Sequence, residues 1–368
     1  LKKIGIALLA IISIALMFHK LLHRPFFIRL LHWEYWPMHV VYAPVYVYWL
    51  WLSMKTRSFF FFSASNPGIR NAGFLLESKK EIYDLIPRQY CPVTLYFPKN
   101  SNFQNVLDAI RQKKLSFPLI GKPDIGLQGL AVKKLEDEVA LAHYVSQSTV
   151  DFLIQAFISY EQEAGIFYCR YPGVEKGFIS GIVQKEFLTV TGDGKSTTEM
   201  LMQMDTRSIL QVDALRRSGE IDLAEILPLG KQKILVPYGN HVRGAKFINA
   251  SHLCDDNLTQ CIHEACRQIK GFYFGRLDIR FHSWEQLKQG KQFSIIELNG
   301  AGSEPTHIYD PSHSVFWAWK EIIRHLDILA KISRANHRQQ HIPYMTFSEG
   351  LCMFRENKRY MKILKASA

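Results

Sequence analysis

The run Phe274-Gly275-Arg276-Leu277-Asp278-Ile279-Arg280-Phe281, followed by Phe293-Ser294-Ile295-Ile296-Glu297-Leu298-Asn299-Gly300, decides how this chain folds. Polar and apolar residues alternate in each, the period of a strand, and together they predict a β-hairpin. Asp278 and Glu297 stand inside apolar strand patterns, where an unpaired carboxylate is costly. A cation relieves that cost. Glu297 and Asn299 have the same parity and therefore share a face. Two carboxylates and an amide oxygen are hard donors of the kind magnesium takes. The other reading of these residues is a structural ion pair to Arg276 or Arg280.

Upstream, Phe117-Pro118-Leu119-Ile120-Gly121-Lys122-Pro123 reads as a short strand that delivers a lysine. A glycine-containing loop follows, Asp124-Ile125-Gly126-Leu127-Gln128-Gly129, and then another strand. Such a loop can turn its amides toward phosphate while the lysine adds a point charge; the same pattern also occurs in plain hairpins. From about residue 75 to Leu329, short β-rich runs alternate with helical patterns, as in an α/β or α+β domain.

At this point the order of motifs resembles the ATP-grasp superfamily, above all D-alanine–D-alanine ligases and the ATP-grasp part of cyanophycin synthetases. That resemblance implies an α+β fold whose two subdomains clamp ATP, with magnesium, or manganese in its place, as the metal. It implies that Asp278, Glu297 and Asn299 hold the metal. Arg276 would steady an acyl phosphate and its tetrahedral successor, together with backbone amides near Gly300 to Ser303. Lys122 and Lys79, with Lys80 as the alternative, would touch the nucleotide phosphates. Gly126, Gln128 and Gly129 would sit in the loop over them. The segment Leu153-Ile154-Gln155-Ala156-Phe157-Ile158 resembles the adenine-holding strand, with backbone groups of Ala156 and Ile158 reading the base. Gln155 stands where the family has Glu. Glu163, or Glu161, would take the ribose. Arg243, Ser303 and His307 are the expected substrate contacts. The turn Thr191 to Thr197 resembles a glycine-aspartate-glycine turn of cyanophycin synthetases, and equally a plain turn before a helix capped by Ser196 or Thr197.

The implied activity is ATP-dependent carboxylate–amine ligation. The alternatives are a D-alanine–D-alanine-ligase-like enzyme on soluble amino acids, a non-catalytic nucleotide-binding membrane module, and a kinase that stops at phosphoryl transfer. The N-terminal domain of the soluble ligases has no counterpart here, so dipeptide specificity does not carry over.

In its place stand two apolar runs. Ile4 to Phe18 follows Lys2 and Lys3; Pro37 to Leu52 is rich in Trp and Tyr and flanked by basic residues. They predict a membrane-anchoring segment over 1–58, a turn-rich junction over 59–74, the ATP-grasp domain over 75–333 and a basic, partly helical tail over 334–368. A buried aromatic segment is the other reading of the second run. ATP dependence places the catalytic part on the cytoplasmic side of the cell membrane. An active site so close to lipid suggests one lipid-linked substrate, with soluble amino acids as the other reading.

The formal net charge of +12 suits anionic lipid or nucleotide phosphate. Its basic residues are scattered, with no nucleic-acid-binding motif, so nucleic acid is not an expected partner. The six cysteines include no C-x-x-C pair and read as free thiols.

Overall fold

Runs of alternating apolar residues become strands in the computed structural model, which describes residues 24–126, 129–219, 221–237 and 239–366. The strands are β1 (Thr94–Phe97), β2 (Leu119–Pro123), β3 (Lys133–Leu135), β4 (Phe152–Ala156), β5 (Gln162–Cys169), β6 (Phe178–Glu186), β7 (Leu188–Thr191), β8 (Gln232–Val236), β9 (Lys246–Asn249), β10 (Phe274–Phe281) and β11 (Phe293–Asn299). With the helices between them they make an α+β chain. The chain divides into two compact units.

The larger unit comprises Pro44–Lys185, Ile248–Ile308 and residues from Lys320 onward. It holds a sheet of order β1-β4-β2-β3, whose apolar side packs on the helices Phe103–Gln112 and Glu138–Gln147 through Leu107, Ile110, Leu141 and Phe152. Its second sheet has the order β11-β10-β5-β6-β9. On one side of that sheet Ala164, Ile166, Tyr168, Leu277, Ile279 and Phe281 bury themselves under the helix Asp256–Arg267. Asp255 caps this helix by accepting from the Leu258 amide. The opposite side carries Glu163, Lys185, Arg276, Asp278 and Arg280. The expected hairpin is present: β10 and β11 pair antiparallel, with Asp278 opposite Glu297, Arg276 opposite Asn299, and a register shift after Asp278.

The smaller unit comprises residues 24–43, Glu186–Phe247 and Tyr309–Trp319. The β7–β8 pair and the helices Thr198–Met204 and Val212–Ser218 enclose Leu188, Val190, Met202, Leu215 and Leu235. The Asp193 turn opens this region. Its carboxylate accepts from the Lys195 and Ser196 amides and from Ser196 Oγ, and Thr197 caps the helix that follows. The plain-turn reading accounts for these bonds.

The apolar run from Pro37 to Leu52 does not become a membrane span. It lies in the helix Met38–Thr56, and among the described residues no helix is long and apolar enough to cross a membrane. One side of this helix is occupied by protein: Val45 and Leu52 are buried, Tyr48 donates to Asp327 at 2.6 Å, and Trp49 meets Phe61 and Phe62. Val47, Leu50 and Met54 on the same helix are exposed. The first run, Ile4 to Phe18, lies outside the described residues.

The turn at Asn66 is buried. Asn66 accepts from the Tyr273 and Phe274 amides through Oδ1 and donates through Nδ2 to Ala72 O and Phe274 O, fixing this segment to the start of β10. The chain's end is helical over Phe347–Ala366, and Gly350 allows that helix to lie against the Phe60 ring.

Candidate active site

The alternation of β10 sends Arg276, Asp278 and Arg280 to one side of the sheet, and the partner strands add charges to the same side. Asp278 Oδ1 meets Arg276 Nε at 3.0 Å and Lys185 Nζ at 3.1 Å; Asp278 Oδ2 accepts from Arg276 Nη2 at 3.1 Å. Lys185 also reaches Glu163 at 3.0 Å, and Glu163 meets Arg280 at 3.3 Å. Gly165 lies under these groups: a Cβ there would stand 3.0 Å from Asp278 Oδ1 and 3.1 Å from Arg276 Cδ. Burial by itself would raise the Asp278 carboxyl, but Arg276 and Lys185 hold it down at about 2. Lys185 is buried, yet Asp278 and Glu163 keep its ammonium above the usual lysine value.

Two lysines complete this network from the neighbouring sheet and helix. Lys122 on β2 donates from Nζ to Tyr83 Oη at 2.7 Å, to Gln155 Oε1 at 2.9 Å and to Ile296 O at 3.4 Å. Burial pushes its ammonium down to about 7, against the pull of Glu297 and aided by the repulsion of Lys79. Lys79 opens the helix Lys79–Leu85, capped by Ser78, and its Nζ lies 3.2 Å from Glu297 Oε1. Burial works against the Lys79 charge as well, but Glu297 holds it above the usual value. Asp124 fixes this helix start beside β2: its carbonyl accepts from the Lys79 amide, and its carboxylate from Ser78 Oγ and the Lys80 amide.

The structure thus brings Lys79, Lys122, Gln155, Glu163, Arg276, Asp278, Glu297 and Asn299 into one connected network. The ion-pair reading of Asp278 also holds, with Lys185 added to Arg276. Arg280 pairs with Glu163 instead. Metal donors remain. Glu297 uses one oxygen for Lys79, and Asn299 offers its amide nitrogen to Asp278 at 3.4 Å. Among the described residues, the other Glu297 oxygen and the Asn299 amide oxygen have no hydrogen-bond donor. These hard oxygens beside Asp278 fit a magnesium ion. No group of three or more His, Cys, Asp or Glu suited to a metal exists among the described residues. Asp278, Glu297 and Asn299 offer two carboxylates and an amide oxygen instead.

Other expected residues are placed differently. The Ala156 amide donates to Val93 O, and the Ile158 carbonyl accepts from Arg280 at 3.1 Å. The Gln155 oxygen already accepts from Lys122. The amides of Ala301, Gly302 and Ser303 donate to Ala72 O, Gly73 O and Gly300 O, which corrects the expectation that they serve an oxyanion. Ser303 Oγ donates to Gly300 O at 2.6 Å. His307 is buried against Gly181, 3.4 Å from Glu321. Arg243 belongs to the smaller unit, in the short turn His241–Arg243 that Gly244 ends at φ 96°. Gly126 and Gly129 flank the loop, with Gly129 at φ 71°, and Gln128 lies outside the described residues.

Sequence reasoning missed Tyr83, Asp124 and Lys185, and the pairing of Arg280 with Glu163. Lys185 carried little signal, since it stands between Gln184 and Glu186 at the end of a strand pattern rather than inside an apolar run as Asp278 does.

No family model and no curated protein matches the chain. Among solved structures it is similar to a D-alanine–D-alanine ligase from Bacillus anthracis, at 14% identity over 71% of this chain and 68% of that one, with a TM-score of 0.39. It is similar to a D-alanine–D-alanine ligase from Coxiella burnetii, at 10% identity over 74% and 60%, with a TM-score of 0.40. A bifunctional glutathione synthetase from Pasteurella multocida matches at 12% identity over 67% and 36%, with a TM-score of 0.36. The chain spans between about a third and two thirds of these proteins' lengths.

Proposed function

We propose that this chain is an ATP-dependent carboxylate–amine ligase of the ATP-grasp type, working through an acyl phosphate. One observation carries the reading: Lys79 and Lys122, from separate elements, converge on the β11 strand that presents Glu297 and Asn299. In the network, Lys79, Lys185, Arg276 and Arg280 stand against Glu163, Asp278, Glu297 and the nearby Asp124, and Lys122, held down to about 7 by burial, adds a further charge when protonated. Lys79 and Lys122 repel one another at this strand, and a polyphosphate between them relieves that repulsion.

A carboxylate does not condense with an amine in water because oxide is a poor leaving group; phosphoryl transfer from ATP removes that obstacle. Lys79 and Lys122 bind and orient the phosphates. Asp278, Glu297 and Asn299 would hold magnesium, whose charge would offset that of the phosphates. Gly126 and Gly129 flank the segment that would keep water away. Arg276, fixed by Asp278 and by its bond to Glu304 O at 3.2 Å, holds the acid's oxygen as the amine attacks. Gln155, Ala156 and Ile158 would hold adenine and Glu163 the ribose, with the Glu163 carboxylate exchanging an ion pair for the hydroxyls. Ser303 and His307 are the proposed substrate contacts within the larger unit. The test is ADP release with and without an added amine. Release that requires both acid and amine fits a ligase. Release with the acid alone, leaving a stable phosphorylated product, fits a kinase, and no release leaves only a binding module.

We further propose attachment to the cytoplasmic face of the cell membrane, with one substrate lipid-linked. The support is the Ile4 to Phe18 run and the exposed Val47, Leu50 and Met54. Removing residues 1–23 should slow turnover of a lipid-linked amine in liposomes about tenfold while sparing turnover of its soluble head group. Equal rates on both substrates would mean that lipid plays no part in catalysis and that soluble amino acids suffice.

A further inference from the structure

The side of the five-stranded sheet covered by the helix Asp256–Arg267 holds a cleft of about 570 Å³, lined by Arg170, Glu175, His263, Arg267 and Gln268. Nothing in the proposed ligase chemistry uses it. The Arg170 guanidinium rests on the Tyr273 ring, 4.9 Å from its centroid, and its buried Nε has no hydrogen-bond partner. Among the described residues its side chain forms no ion pair. A guanidinium held in place by an aromatic ring with its donors unused is a recognition element for an oxyanion.

His263 adds a second donor. It is 6% exposed, and its Nδ1 lies 2.8 Å from Tyr168 Oη and 3.3 Å from the Gly177 amide nitrogen. A backbone amide can only donate, so Nδ1 accepts and the neutral ring carries its proton on Nε2. Burial holds the imidazole below its ordinary pKa, which keeps it in that neutral form at pH 7. Nε2–H has no partner among the described residues.

The charge balance narrows the ligand. Arg267 already pairs with Glu264 at 2.7 Å, so these two cancel. Arg170 and Glu175 remain: opposite charges that line one cleft without an ion pair between them. A dianion such as phosphate would meet Glu175 as a repulsion. A zwitterion satisfies both groups.

We propose that this cleft binds a small amino carboxylate, its carboxylate on Arg170 and His263 Nε2–H and its ammonium on Glu175. The site is separate from the charged side of the sheet and takes a free amino acid as a ligand, whichever substrates the ligase joins.

The test is calorimetry on the full chain with glycine, L-alanine, L-glutamate and L-lysine, beside acetate, methylammonium and phosphoethanolamine. At least one amino acid should bind the wild type, while acetate and methylammonium, each half of the ligand, should not. Arg170→Gln should weaken that binding about tenfold, the loss of one charge-assisted contact. Glu175→Gln, at an exposed position, should weaken it about threefold. Circular dichroism confirms that the variants fold. Lys122→Ala should leave the binding unchanged, so a failure of the ligase reading does not touch this result. Absence of binding by every amino acid, binding by phosphoethanolamine alone, binding unaltered in Arg170→Gln, or binding abolished by Lys122→Ala would each overturn the proposal.

Discussion

The two sides of the β11-β10-β5-β6-β9 sheet use the same strands for opposite purposes. On one, Leu277, Ile279 and Phe281 alternate into a closed apolar layer. On the other, the interleaved Arg276, Asp278 and Arg280 join Glu163 and Lys185 in a web of ion pairs. Apolar burial stabilises the fold by roughly 25 cal/mol per Å² of surface removed from water. Buried ion pairs contribute little to net stability, because desolvation offsets the attraction. The charged side is therefore hard to explain as scaffolding, and the difference between the two sides is what separates fold from function here.

Substitutions on the two sides should give opposite signatures. Asp278→Asn or Glu297→Gln should lower ATP turnover by about a hundredfold or more, since each removes a ligand of the proposed metal. The far-ultraviolet circular dichroism should stay that of the wild type. Near-normal turnover with magnesium in either variant would reduce the charged side to structure. Leu277→Ala on the apolar side should do the reverse. It should destabilise the protein by about 3 kcal/mol in urea unfolding, as large-to-small core changes do. Turnover of the folded fraction should change by less than about twofold, because the side chain removed lies on the side of the sheet opposite Arg276 and Asp278. A Leu277→Ala enzyme with wild-type stability and crippled turnover would erase the distinction between the sides.

Much of this contrast was legible in the sequence, for a physical reason. A strand has period two, so a charge in an apolar run is assigned to a face at once, and that reasoning finds Asp278, Glu297 and Asn299, whereas the role of Arg276 comes from the resemblance. Lys185, between Gln184 and Glu186, lacks that apolar setting and gives no such signal. Tyr83 and Asp124 could not be found that way. Their roles come from a helix start meeting a strand end, a contact that leaves no local period. The amides after Gly300 were misjudged because their acceptors, Ala72 and Gly73, are far away in sequence. The second apolar run reads as part of a membrane-anchoring segment because a helix packed on one side and apolar on the other has the composition of one. Only tertiary contacts such as Tyr48 to Asp327 tell them apart.

The central claim is that the charged side and its two lysines receive the phosphates of ATP, and Lys122 tests it most directly. Burial holds its ammonium down near pH 7 in the ligand-free protein. A polyphosphate beside it favours the charged form and must raise that value, so ATP binding takes up a proton above pH 7. Calorimetric titration of ATP with magnesium between about pH 6 and 9, in buffers of different ionisation enthalpy, reads both affinity and proton uptake. Wild-type affinity should be nearly level below pH 7 and fall as pH rises above it, with up to one proton taken up. Lys122→Met should bind about tenfold more weakly at pH 7 and lose that component of the proton uptake. Equal affinity and equal proton uptake in wild type and Lys122→Met would contradict the account.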